Sequence, residues 1–160
     1  MAWTAPRSWV AEEVVTADVM NAHVRDNLKA IGDAWTSYTP TLSQGASSNI
    51  AKTVNYAKYV AAGKLIIGQV KLTPSAAGTA GSAITITLPV TAATSGIIVG
   101  PGWYSDTGTA DYRGHAFLAT TTTLVIYRPV VGTGGAIGLD PNIAVASGDV
   151  FYASFTYEAA

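Results

Sequence analysis

A single change of hydrophobic period divides this chain. Over residues 16–31 the apolar residues recur at helical spacing; from Trp35 onward they recur at every second position. Ile84, Ile86 and Leu88 alternate with Thr85 and Thr87, and Phe151, Ala153, Phe155 and Tyr157 alternate with Tyr152, Ser154, Thr156 and Glu158. Ile66, Val70 and Leu72 share one face of the 64–73 stretch, with Gly68 between them. Such alternation marks strands buried on one side. Further candidate strands are 35–41, 53–61, 97–104, 112–119 and 122–128, separated by Gly, Pro and Ser clusters at 43–48, 74–82, 91–96, 105–108 and 132–138. Pro89 and Pro129 close strands, where a missing backbone donor costs little. About eight strands and one helix predict a mainly β fold, an antiparallel β-sandwich of jelly-roll type over residues 34–160.

Residues 1–33 form a separate attachment or oligomerisation segment. Trp3, Pro6, Trp9 and Val10 lie in an arm with neither helical nor strand period. An arm this short makes no core of its own, so its rings dock on the same subunit or on a neighbour. The spacing then predicts a helix over 16–31. Thr16 is placed as N-cap, Val15 and Met20 as a hydrophobic staple, Asp18 in the first turn, and Lys29 and a left-handed Gly32 at the far end. Met20, Val24, Leu28 and Ile31 form one apolar stripe. Its partner is left open: the sandwich, or copies of itself about a symmetry axis. His23 lies beside the stripe and reads as a contact or capping residue.

Charged residues make up only 12% of the chain against 49% hydrophobic, while ordinary soluble domains carry about 25% charged residues. Such a surface is either covered by other chains or built from small Ala, Gly, Ser and Thr side chains. A net charge of −1 gives no field for capturing nucleic acid. No apolar run reaches the roughly 18 residues that a membrane span needs, and the opening residues lack the apolar core of a signal peptide. The expectation is synthesis in a cytoplasm, with no membrane insertion and no nucleic-acid partner. Lys52, Lys58, Lys64 and Lys71 precede a stretch in which Asp106, Asp111, Asp140, Asp149 and Glu158 outnumber Arg113 and Arg128. This is either internal balance or a basic region that faces the acidic region of the next subunit.

No catalytic constellation stands out: no Gly-x-Ser-x-Gly, phosphate-binding loop or His-Glu-x-x-His is present. His23 and His115 are the only histidines and cysteine is absent, so no metal or cofactor site is expected. Asp106 with Asp111, and Asp140 with Asp149, flank loops, but nothing in their spacing favours a hydrolytic pair over turn residues. The chain reads as a non-enzyme. The aromatic edge of the 105–108 turn carries the one candidate ligand contact. Trp103, Tyr104 and Tyr112, with Asp106 and Arg113, have the chemistry to stack on a sugar and bond its hydroxyls. Against that stands simple alternation, with Trp103 and Tyr104 facing opposite ways.

Two stretches carry a resemblance. The first is Trp3-Thr4-Ala5-Pro6-Arg7-Ser8-Trp9-Val10, then Glu13-Val14-Val15-Thr16-Ala17 and Asn21-Ala22-His23-Val24-Arg25-Asp26-Asn27-Leu28. It resembles the opening of small minor tail or fibre-like virion structural proteins of actinobacterial tailed phages. It departs from their pattern at Ala11-Glu12-Glu13, where a Gly-Glu turn is more usual. The second stretch, Trp35-Thr36-Ser37-Tyr38-Thr39-Pro40-Thr41 on through Tyr59, Gly63-Lys64-Leu65-Ile66, the 84–89 strand and Ser147-Gly148-Asp149-Val150 to Tyr157-Glu158-Ala159, is similar to β-sandwich modules of the same proteins. The resemblance implies a virion component assembled in the host cytoplasm, usually a homotrimer, docked on tail, baseplate or capsid proteins. Trp3, Trp9, Met20, Val24, Leu28 and Ile31 would do the docking. A host-surface glycan read by the aromatic loop is the alternative role.

Overall fold

A computed structural model describes residues 4–5, 7–32, 35–129 and 135–160, with the side chains of residues 30 and 31 left out. Among the described residues ten strands follow one helical segment: β1 (Thr36–Ser37), β2 (Leu42–Gln44), β3 (Lys52–Ala62), β4 (Leu65–Pro74), β5 (Ile84–Thr87), β6 (Ile98–Asp106), β7 (Ala110–Leu118), β8 (Thr123–Arg128), β9 (Gly135–Ala136) and β10 (Val150–Glu158). They make one antiparallel sheet in the order β1-β3-β4-β10-β6-β7-β8-β5-β2, with β9 on β8. The fold is mainly β and sandwich-like, as the alternation requires, but its two halves are continuous.

Short-range geometry makes that sheet curl. The Tyr38 amide donates to the Ala57 carbonyl on β3, and the Thr87 amide on β5 donates to the Thr41 carbonyl. Three residues of chain reach at most about 11 Å. Strands near opposite ends of the order are therefore neighbours in space, and the inward faces of β4, β5, β6, β7, β8 and β10 enclose one core. Ile66, Val70, Leu72, Ile84, Ile86, Phe151, Ala153, Phe155 and Tyr157 are all buried, in the alternating order read from the sequence.

Glycines open the space for the large rings and branched chains of this core. A Cβ on Gly68 would fall 2.5 Å from Cζ of Phe155, its cross-strand partner, so the bare backbone is the floor on which that ring lies. Gly102 leaves room in the same way for Ile126, whose Cγ1 would stand 2.9 Å from an added Cβ.

Several expectations are corrected. The 35–41 strand is only two residues long, because the chain makes its last bond to β3 at Tyr38 and reaches β5 by Thr41. β2 overlaps the Ser-rich stretch 43–48, and β9 falls inside the Gly-rich stretch 132–138, both read as loops. Gln44 ends β2 fully buried. Its Nε2 donates to the Ser82 and Ile143 carbonyls at 3.1 and 2.6 Å, and its Oε1 accepts from the Val145 amide at 2.8 Å. The helix is three pieces: α1 (Ala17–Met20), a π-helical turn (Asn21–Arg25) and α2 (Asp26–Gly32). Thr16 caps it as expected, its hydroxyl accepting from the Val19 amide at 3.3 Å. Val15 and Met20 stay exposed, so the staple expected there buries little. Gly32 is the last helical residue and is not left-handed.

Buried tyrosines give the core a pH limit. Burial raises the Tyr157 phenol to about 12, and burial raises Tyr38 and Tyr104 further still. In the unfolded chain all three ionise near pH 10. Folding therefore favours their neutral forms, and the associated stability is intact below about pH 10. It falls as pH rises through about 12. Urea denaturation at stepped pH should give a flat stability to about pH 10 and then a decline, with tyrosinate absorbance appearing alongside unfolding. Unchanged stability at pH 12 would contradict this packing.

Candidate functional site

Two surfaces are candidates. The first is the N-terminal segment. Trp3 lies outside the described residues, as does the side chain of Ile31. Trp9 is 47% exposed, with the Arg7 guanidinium 5.2 Å over its ring. Arg7 also pairs with Glu13, whose amide donates to the Val10 carbonyl at 3.2 Å and closes a turn. Glu12 sits in that turn at φ +65°, a conformation that suits glycine and costs another residue roughly 1 kcal/mol.

Asn27 is the residue that sequence reasoning missed. Its side chain is buried and clamps both main-chain polar groups of Thr4 in the arm. Oδ1 accepts from the Thr4 amide at 3.0 Å and Nδ2 donates to the Thr4 carbonyl at 2.9 Å, with a further bond to the His23 carbonyl at 3.2 Å. An amide side chain carries a donor and an acceptor side by side and so serves the N–H and the C=O of one residue together; an unexplained Asn among helical residues was the available signal. The clamp holds arm to helix, yet the apolar stripe is left outward. Met20, Val24 and Leu28 are 44%, 37% and 65% exposed, and Val10, Val14 and Val15 join them at the surface.

The second surface is the outer face of the sheet. The five residues expected at the aromatic loop do not converge. Tyr104 is fully buried: its hydroxyl donates to Asp149 Oδ2 at 2.5 Å and its ring meets Phe151 edge-on at 6.3 Å. Tyr104 is therefore a core residue and not a ligand contact. Tyr112 turns the same way, stacked on Tyr104 at 6.4 Å, with the Arg128 guanidinium 5.3 Å above it. Asp106 pairs with Ala110 at the hairpin end. Asp149 is itself buried and accepts from three donors, so it is no loop-edge acid.

Alternation sends Trp103 and Arg113 outward instead. They are cross-strand partners, and Trp103 pairs on its other side with Tyr152. Tyr152 pairs with Lys71, and Lys71 with Tyr56, so one register row reads Tyr56, Lys71, Tyr152, Trp103, Arg113 across five strands. Trp103, Tyr152 and Arg113, with Pro101, Gly102 and Gly114, line a groove of about 410 Å³. The adjacent row adds Lys58, Gln69 and Ser154, then Pro101 and His115. Sequence reading found Trp103 and Arg113 but not Tyr152, Lys71 or Tyr56, because only the strand order makes them neighbours. It also separated basic from acidic stretches, whereas the fold sets Lys58 and Lys71 on the same face as Arg113.

Among the described residues no cluster of three or more His, Cys, Asp or Glu side chains is placed to hold a metal ion, and no helix is long and apolar enough to cross a membrane. Comparison with protein-family models, with curated proteins and with solved structures finds no match to this chain.

Proposed function

We propose that this chain is a structural component of a tailed-phage virion, a homotrimer that docks on other particle proteins through residues 1–33 and displays the β-sandwich. The observation that carries this reading is the outward apolar ridge of Met20, Val24 and Leu28 on a segment already tied to its own arm by Asn27. Covering each of those side chains contributes about 1 kcal/mol, at about 25 cal/mol per Å² of apolar area. Three copies meeting along the ridge multiply that gain, and the exposed ring of Trp9 on the clamped arm is left to meet a neighbouring protein. The resemblance of the 3–28 string to virion proteins supplies the biological setting.

The test is the mass in solution. The full chain should sediment at about three times its 16.5 kDa, and the Val24→Asp/Leu28→Asp double variant should be a folded monomer that no longer enters particles. A full-length monomer at high concentration would overturn the trimer. Normal incorporation of the double variant would overturn the docking role. A second reading, a receptor-binding module for a host-surface glycan, is supported by the groove at Trp103 and Tyr152.

A further inference from the structure

We infer that the sheet-face groove lined by Trp103, Tyr152 and Arg113 binds an acidic oligosaccharide, one that carries carboxylated sugars. This rests on the glycan reading and deepens it: it moves the site from the loop to the sheet and gives its ligand a charge. The aromatic part comes from register. Tyr152 and Trp103 stand side by side on β10 and β6, half-buried, their rings flanked by Gly102 and Gly114. Rings fixed on strands make a rigid platform for the C–H face of a pyranose, with little side-chain entropy lost on binding.

Charge selects the class of sugar. Arg113 lies beside Trp103 at one end of the row and Lys71 beside Tyr152 at the other. Neither forms an ion pair among the described residues, and neither this row nor the adjacent one through Lys58 and His115 holds an acidic side chain. An unpaired guanidinium at the edge of an aromatic platform suits a planar carboxylate, which it can hold by two parallel bonds. The next row on the other side places Asp111 beside Ser105, an acceptor and a hydroxyl with the chemistry to bond the hydroxyl groups of a neighbouring sugar. A nucleic acid suits the face less well: a chain with net charge −1 lacks the long basic track that phosphate binding needs, and the row offers one cation at each end of its aromatic pair.

Calorimetric titration of the full chain with oligogalacturonate, neutral dextran oligomers and oligo-dT tests this. Oligogalacturonate should bind, weaken as salt rises, and bind about tenfold more weakly to Arg113→Gln and to Trp103→Ala. Arg113 is exposed, so Arg113→Gln keeps the fold even if Trp103→Ala does not. Dextran binding equal to that of oligogalacturonate, with Arg113→Gln silent, would overturn the acidic specificity while leaving glycan recognition standing. Tighter binding of oligo-dT would make the face a nucleic-acid surface and overturn the inference. If no oligosaccharide binds, both the inference and the glycan reading fall, without touching the N-terminal docking role, because no groove residue belongs to residues 1–33.

Discussion

Replacing Asp149 by Ala should cost about 3–5 kcal/mol of stability, read as a lower urea midpoint at unchanged slope. Its carboxylate accepts from the Tyr104 hydroxyl at 2.5 Å, the Ala146 amide at 2.7 Å and the Thr107 amide at 3.0 Å. Alanine strands a hydroxyl in the core and frees two amides that tie the β6–β7 turn to the loop before β10. The partners all donate, so Asp149→Asn is no neutral change. Its NH2 group has to face at least one N–H, and the expected loss is about 2 kcal/mol. Tyr104→Phe removes one bond of the three and should cost about 1–2 kcal/mol. A double-mutant cycle between positions 104 and 149 should show coupling above 1 kcal/mol, roughly. Additive losses would mean that the hydroxyl and the carboxylate do not meet.

Gly68→Val should cost about 3 kcal/mol or more, and Gly68→Ala about 1–3 kcal/mol. An added Cβ falls 2.5 Å from Cζ of Phe155, a ring that is itself fully buried and has no room to swing away. The two residues are register partners between β4 and β10, so the clash sits at the centre of the sheet. The tell-tale result is rescue. Phe155→Leu alone should destabilise by removing ring contacts, but in the Gly68→Ala background it should cost markedly less, because the shorter chain vacates the space the methyl needs. If Gly68→Ala is neutral, the ring does not lie on that backbone.

These examples show where the sequence was legible. Strands such as β4, β5 and β10 follow from alternation because each has one face in the core and one outside it. β2 escaped because Leu42-Ser43-Gln44 looks like a loop start. Gln44 is buried only because two carbonyls and an amide, 38 to 101 residues away, converge on its side chain. Gly68 was visible between apolar neighbours, but its purpose depends on which residue β10 lays across it. The same holds for the candidate site. Opposite facing of Trp103 and Tyr104 is a local property and was readable. The row that gives Trp103 its neighbours depends on β10 entering between β4 and β6, which no local pattern encodes. Asn27 was hidden for a related reason: its partner is the backbone of Thr4, which carries no side-chain signature.

β10 follows all nine other strands in the chain, yet it lies near the middle of the sheet, hydrogen-bonded to β4 and β6. A ribosome that has delivered the first nine strands has therefore released a molecule with two raw inner borders and no Phe151 or Phe155 to fill its interior. Such a nascent chain cannot close early. Native structure must appear late and all at once, and any product cut short before residue 150 should be an aggregating or protease-sensitive species instead of a smaller working copy.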